Sequence, residues 1–238
     1  VKQFNMIKFQ NNLYPENYTF KYPKAGEKNS IASVHVYDVE TLKSTKMDVG
    51  SETDQYIPRI QWPNRSNQIS IIRLNRLQNR MDILLADIYS GESKTLYTEE
   101  NKYYLPEPSD NFVTITEDGE NFILTSEKNG YNQIYLYGMD GKLVKQLTDG
   151  VNEVIEVYGY SAKDKRVFFK AFDQSPLRNA IYSVKIDNLE IAKLSPNSGN
   201  NRAEFSKTYK YIIISHSSST SPTSITLNND KGKQIRIL

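Results

Sequence analysis

The sequence predicts an all-β chain built from repeated units of short strands. Three observations carry that reading. Helical periodicity is nearly absent, and Tyr, Ile, Thr and Val dominate the apolar runs, with 17 Tyr against a single Trp; this is a strand-forming bias. Pairs of short strands recur around polar turns. The turn aspartates Asp38, Asp87, Asp140, Asp187 and Asp230 lie 49, 53, 47 and 43 residues apart.

The first hairpin is "ASVHVYDVETLKSTKMDV", with its turn at Asp38 to Thr41. The second, "DILLADIYSGESKTLYTE", turns at Asp87 to Gly91, and the third, "NQIYLYGMDGKLVKQLTDG", at Met139-Asp140-Gly141. "NAIYSVKIDNLEIAKLSP" turns at Asp187-Asn188 and "TSITLNNDKGKQIRIL" at Asp230 to Gly232. Asp and Gly are expected to supply the positive φ angles that tight hairpins need. A further strand pair precedes each hairpin after the first: "YIPRIQW" with "QISIIRLNR", then "FVTITEDGENFILTSEK", "IEVYGYSAKDKRVFFKAF" and "AEFSKTYKYIIISHS".

Four short strands repeated at this period are the sign of propeller blades. A β-sandwich, the alternative, would show strands without the period. A polar outer hairpin and an apolar inner pair are expected in each blade. The count is four full repeats plus one N-terminal hairpin whose inner strands are missing or displaced, about four and a half blades. Because each blade buries its faces only against neighbours, such a piece must expose two blade faces or close them by another route. The chain does not begin at Met and reads as a fragment of something longer.

Composition narrows the function classes. Of 238 residues, 38% are apolar and 24% charged, which suits a globular chain and not a disordered one. The net charge is +2, with basic and acidic residues interleaved, so there is no electrostatic footprint for nucleic acid or an anionic membrane. Cys is absent, which removes disulfides and thiolate metal sites. No apolar run approaches the roughly 18 residues of a membrane helix, and "VKQFNMIKFQ" does not read as a signal peptide. The carboxylates Asp110, Glu117 and Asp118 fall at turns without metal-loop spacing, so neither a metal nor a cofactor is expected.

Several stretches are distinctive in combination: "LYPENYTFKYPKAGEKNS", "YIPRIQW", "RLNRLQNRMDILLADIYSG", "SEKNGYNQIYLY" and "FSKTYKYIIISHSSSTSPTSITL". In this order and spacing they resemble the second half of the propeller domain of bacterial dipeptidyl peptidase IV, within the prolyl oligopeptidase family. The resemblance covers nearly the whole chain. It implies part of an eight-bladed propeller joined, in the parent, to an α/β-hydrolase domain. The parent would be a periplasmic or cell-envelope serine peptidase releasing Xaa-Pro or Xaa-Ala dipeptides from peptide substrates.

Two parts of that machine are missing here. No G-x-S-x-G nucleophile elbow occurs in the sequence, so no acyl-forming serine is offered. The family's paired glutamates lie in a "W-x-Y-E-E" motif upstream of the "YP" stretch. The adjacent Glu99-Glu100 of "LYTEENKYY" lack that context, and no catalytic residue is assigned. The C-terminal "KGKQIRIL" matches the family's hand-over from propeller to hydrolase domain.

The resemblance also implies that "YP…YPKAG" is a two-stranded arm that helps build a homodimer. Tyr14, Pro15, Tyr18, Phe20, Tyr22 and Pro23 are its candidate contact residues. Aromatics alternate along "YPENYTFKY", giving one face contact area at low entropy cost, while the prolines discourage further edge pairing. Without the resemblance, an ordinary surface hairpin is the alternative. The expected division is arm 1–30, outer hairpin 31–50, and blades 51–101, 102–150, 151–196 and 197–238.

The loop "ENKYYLPEPSD" opens the third repeat. By resemblance it reaches the central cavity, making Tyr103, Tyr104 and Glu107 candidates for a substrate-side wall; a proline-stiffened connector is the alternative. Arg73 and Arg76 of "RLNRLQN" read as structural, satisfying carbonyls or bridging blades. His35 and His216 read as strand histidines, exposed or satisfied. Asn17-Tyr18-Thr19 and Asn64-Arg65-Ser66 match the glycosylation pattern, which arises often by chance and means nothing in a bacterial protein. Two rivals to the peptidase-segment reading remain: a free-standing propeller that binds a protein or glycan, and an inactive paralogue.

Overall fold

Strand-rich sequence with turn signals at a regular period folds here, among the described residues, into twenty strands in six antiparallel sheets. The structure is a computed structural model that describes residues 1–9, 12–63, 67–109, 112–150, 152–196 and 198–238. No helix occurs among the described residues, and so none long and apolar enough to cross a membrane. Asp110 and the Asn64-Arg65-Ser66 triplet lie outside the described residues.

Two sheets are two-stranded ribbons: β1 (Gln3–Lys8) with β2 (Glu16–Lys21), and β3 (His35–Asp38) with β4 (Lys43–Lys46). Four sheets have four strands each. The first holds β5 (Gln55–Gln61), β6 (Gln68–Asn75), β7 (Arg80–Asp87) and β8 (Ser93–Glu100). The second holds β9 (Val113–Ile115), β10 (Asn121–Ser126), β11 (Gln133–Gly138) and β12 (Leu143–Gln146). The third holds β13 (Val154–Ser161), β14 (Arg166–Phe172), β15 (Asn179–Lys185) and β16 (Ile191–Lys193). The last holds β17 (Asn200–Phe205), β18 (Tyr211–Ser218), β19 (Ser221–Asn229) and β20 (Gln234–Ile237). Within each, spatial order follows chain order. This is an all-β partial propeller, and it is not closed.

Burial corrects one expectation. In the first three four-stranded sheets the apolar pair is not the inner two strands but the middle two. Met81 to Ala86 of β7 are all buried, as are Gln133 to Tyr137 of β11, whereas β5 and β13 are largely half-buried and β16 and β20 largely exposed. In these three sheets the reason is position: a middle strand has a partner on each side and a neighbouring sheet on each face, whereas an edge strand has a partner on one side only. Four hydrophobic clusters accordingly lie between consecutive sheets, one per junction.

The turns correct a second. The acidic and amide side chains do not supply positive φ; they accept hydrogen bonds from turn amides. Asp38 Oδ1 accepts from the Glu40 and Thr41 N–H groups, and Asp87 Oδ1 from those of Tyr89 and Ser90, all at 2.9 Å. In the last two hairpins the acceptors are Asn188 and Asn229, not the neighbouring aspartates. Positive φ falls later in the turn, at Gly91, Gly141 and Gly232 but at Leu42 and Leu189 in the other two. At Gly141 (φ 81°) a Cβ would stand 2.6 Å from the Leu96 carbonyl oxygen of the preceding sheet, so glycine lets the turn seat on its neighbour. The Leu189 turn is held otherwise: Lys145 Nζ of β12 donates to the Ile186 and Asp187 carbonyls at 2.9 and 3.2 Å.

Candidate functional site

The loop between β8 and β9 is anchored at its start and centre. Asn101 N–H donates to the Asn79 carbonyl at 2.9 Å, and Leu105 N–H to that of Gln78 at 2.8 Å. Leu105 is buried in the junction below. Glu107 then reaches back to β5, its carboxylate 3.1 Å from Arg59 Nη2. Pro106 and Pro108 restrict the backbone on either side of Glu107.

Of the three candidate wall residues, the structure brings two together. Tyr104, 54% exposed, and Glu107 line one depression with Tyr56, Pro58 and Gln78. Tyr103 is 77% exposed and stands apart, with Lys102 Nζ 5.1 Å from its ring centroid. Glu107 also lines a cavity of about 160 Å³ bounded by the first three four-stranded sheets, with Glu99, Ser126, Asn132 and Glu156 in its wall.

Behind the loop lies a polar junction that reading the sequence passed over. Adjacent residues of a strand point to opposite faces, so Glu99 and Glu100 separate. Glu100 stays at the surface, 2.8 Å from Arg80 Nη1. Glu99 turns inward and is buried; its carboxylate accepts from Ser126 Oγ of the next sheet at 2.7 Å and from the Tyr97 hydroxyl at 3.0 Å. Lys128 Nζ donates to the Tyr137 hydroxyl at 2.6 Å and lies 3.9 Å from the Tyr135 ring centroid. Burial first, then the bond to Tyr137 and the Glu99 charge, push the Tyr97 phenol upward. On the neighbouring strand β7 of the same sheet, Asp82 is buried, which draws its pKa up. Hydrogen bonds from Thr98 (2.7 Å) and Arg73 Nε (3.0 Å), with the arginine charges, outweigh this and hold it below the usual carboxylate range.

Both arginines of "RLNRLQN" bond backbone carbonyls: Arg73 Nη1 donates to Val49 at 2.8 Å and Arg76 Nη2 to Glu27 at 2.9 Å. His216 Nδ1 is 3.0 Å from Asn201 Oδ1, and His35 is exposed with Ser33 Oγ at 3.2 Å. Among the described residues no three His, Asp or Glu side chains gather as metal ligands.

The β1–β2 ribbon carries an aromatic row. Phe4 pairs with Phe20 across the ribbon, with ring centroids 5.9 Å apart; Tyr18 and Tyr22 flank Phe20 at 5.3 and 5.9 Å. Lys24 Nζ sits 3.8 Å from the Phe4 centroid. Tyr14 is not in this row: it lies in the bend before β2 and is exposed. Pro15 immediately precedes β2, and Pro23 follows it by two residues.

Residues 1–223 match the family described as "Dipeptidyl peptidase IV (DPP IV) N-terminal region". The chain belongs to that family. The whole chain superposes on the crystal structure of Porphyromonas gingivalis dipeptidyl peptidase 4 with a TM-score of 0.90 and 36% identity, covering 34% of that chain. It is 26% identical over 213 residues to dipeptidyl peptidase 4 of Trichophyton rubrum, spanning 85% of this chain and 27% of the fungal protein. It is also 26% identical over 201 residues to inactive dipeptidyl peptidase 10 of mouse, spanning 78% of this chain and 25% of that one. The chain therefore covers about a quarter of the curated relatives it matches.

The Glu99 carboxylate is expected to matter for the junction. Glu99→Ala orphans two hydroxyls and should cost about 1–3 kcal/mol in urea unfolding at neutral pH. Glu99→Gln keeps an acceptor and should cost less; equal losses would contradict the assignment. Because the folded-state Tyr97 value is raised, its contribution is complete below about pH 10, the unfolded value, and is lost as pH rises beyond it.

Proposed function

We propose that the chain is a non-catalytic propeller segment of a serine dipeptidyl peptidase that releases Xaa-Pro or Xaa-Ala dipeptides from peptide N-termini. The family match over residues 1–223 carries this reading, and the 36% identity to the P. gingivalis enzyme supports it. In this reading the chemistry resides elsewhere in the longer polypeptide, since these 238 residues contain no G-x-S-x-G. The parent acts in the periplasm or cell envelope. The segment divides into the arm at 1–30, the hairpin at 31–50 and four blades from 51 to 238.

Two roles follow within that reading. The loop carrying Tyr104 and Glu107 forms part of a substrate-side wall, with Tyr103 at its outer margin. The β1–β2 ribbon is a dimer contact, offering Tyr18, Phe20 and Tyr22 as a row and Tyr14, with Pro15, at its tip. A second reading, an inactive paralogue, has one observation in its favour: a mouse relative of similar identity is named inactive.

The purified chain should not turn over a Gly-Pro chromogenic amide, whereas the longer polypeptide that contains it should. Turnover by the chain that survives repurification would overturn the non-catalytic assignment, and an inert longer polypeptide would favour the paralogue.

In that longer polypeptide, replacing Tyr14, Tyr18 and Tyr22 together by Ser should shift dimer to monomer in sedimentation. Aromatic anchors at an interface centre typically cost about 2 kcal/mol or more each. A variant that stays fully dimeric, or one that unfolds, contradicts the dimer role of the arm.

A further inference from the structure

The turn between β6 and β7 stands between the arm and the substrate-side loop and bonds to both. Asn75 makes it rigid: its Oδ1 accepts from the Asn79 and Arg80 N–H groups at 3.0 and 3.1 Å, and its Nδ2 donates to Asn79 Oδ1 at 2.7 Å. On one side Arg76 projects from this turn toward the base of the arm. Its Nη2 donates to the Glu27 carbonyl at 2.9 Å, its Nη1 meets Asp54 Oδ1 at 3.3 Å, and its guanidinium lies 5.7 Å from the Tyr56 ring centroid. Glu27 in turn closes the arm's base, accepting from Lys24 N–H at 3.0 Å and pairing with Lys2 beside β1 at 3.5 Å.

On its other side the same turn holds the loop. The Gln78 and Asn79 carbonyls accept from Leu105 and Asn101 N–H, so the segment carrying Tyr104 hangs from two backbone bonds to this one turn. The path from Lys2 to Tyr104 therefore runs through Glu27, Arg76, the 75–79 turn and Leu105, joined by the ion pair of Lys2, the Arg76 bond to Glu27, the Leu105 bond to Gln78 and the chain itself. A fork-shaped guanidinium suits the central place, because it binds a carbonyl and a carboxylate at once beside an aromatic ring.

We infer that Arg76 is a positioning residue that couples the arm to the Tyr104–Glu107 loop, so that ordering either one orders the other. In the enzyme, and resting on the roles proposed above for arm and loop, dimerisation through the arm would stiffen the substrate-side wall. Coupling of this kind is reciprocal, and that separates it from a local structural bond.

Amide hydrogen exchange on the 238-residue chain tests it without requiring dimerisation or peptidase activity. Arg76→Ala should speed exchange about tenfold or more at Tyr22 and Glu27 in the arm's base and also at Asn101 and Leu105 in the loop, as losing a hydrogen bond to a charged group implies. Amides of β10, β11, β14 and β15 should be unchanged. Leu105→Ala, which loosens the loop, should in return speed exchange at Glu27. Arg76→Lys keeps the charge but loses the fork, and should produce a smaller rise at the same two segments. A rise confined to the arm, or a Glu27 amide indifferent to Leu105→Ala, would overturn the coupling. If Arg76→Ala speeds exchange throughout, Arg76→Lys decides, and a lysine variant that leaves either segment unchanged counts against it. Failure of the dimer role would appear separately, as a monomeric longer polypeptide in which the exchange coupling persists.

Discussion

Each four-stranded sheet of this molecule has an apolar face that only a neighbouring sheet can cover, and the rest of the structure depends on that face-to-face burial. The pattern repeats residue for residue. Ile123, Ile134 and Leu147 of one sheet are buried under Val154, Val167, Phe169 and Ala171 of its successor. Phe168, Ile181 and Leu194 are buried in turn under Ala203, Ile212 and Ile214. The residues in the same register of the last sheet are Ile213, Ile225 and Leu238: Leu238 N–H bonds the Ile225 carbonyl as Leu194 N–H bonds that of Ile181. No described sheet covers them, and β18 alternates between buried and exposed where β14 does not.

That constraint explains where polar chemistry can sit. Stacking occupies the middle strands, so side chains free to meet a ligand lie on edge strands, turns and connectors. Tyr104 and Glu107 are on a connector, Arg59 on an edge strand, and Arg76 on a turn. Polar groups drawn into the junctions are satisfied across them, as Glu99 is by Ser126 and Arg166 by Asp230, at 2.6 Å. Such pairs fix the register between sheets, because an unpartnered buried charge is costly. Close approach also dictates local backbone: Gly159 adopts φ 143°, and a Cβ there would strike the Tyr209 hydroxyl from the neighbouring sheet.

The repeat was legible in the sequence because period-two strands and Asp, Asn and Gly turns are local signals. Which strands are buried was not, because burial of β7 and β11 depends on sheets folded from distant sequence. The turns show the same division. Their positions were readable, but Leu42 and Leu189 adopt left-handed backbone that composition alone assigns to glycine. At the candidate site, the sequence singled out Tyr103, Tyr104 and Glu107 together, and the loop's anchors part Tyr103 from the other two. Glu99 carried a usable signal, since two adjacent glutamates of a strand point to opposite faces and only one can stay in solvent where one face is covered. Arg76 carried none that named Glu27, 49 residues away.

Ile181 and Ile225 offer the most direct measurement of the stacking constraint, being the same residue type in the same register of consecutive sheets. One is fully buried and the other 41% exposed. In urea unfolding of the chain, Ile181→Ala should cost about 2–5 kcal/mol, the range for a core isoleucine truncated with its cavity. Ile225→Ala should cost about 1 kcal/mol or less, since little buried area is lost. Equal losses at the two positions would contradict the claim that the neighbouring sheet, and not the sheet's own strand pairing, supplies the stability.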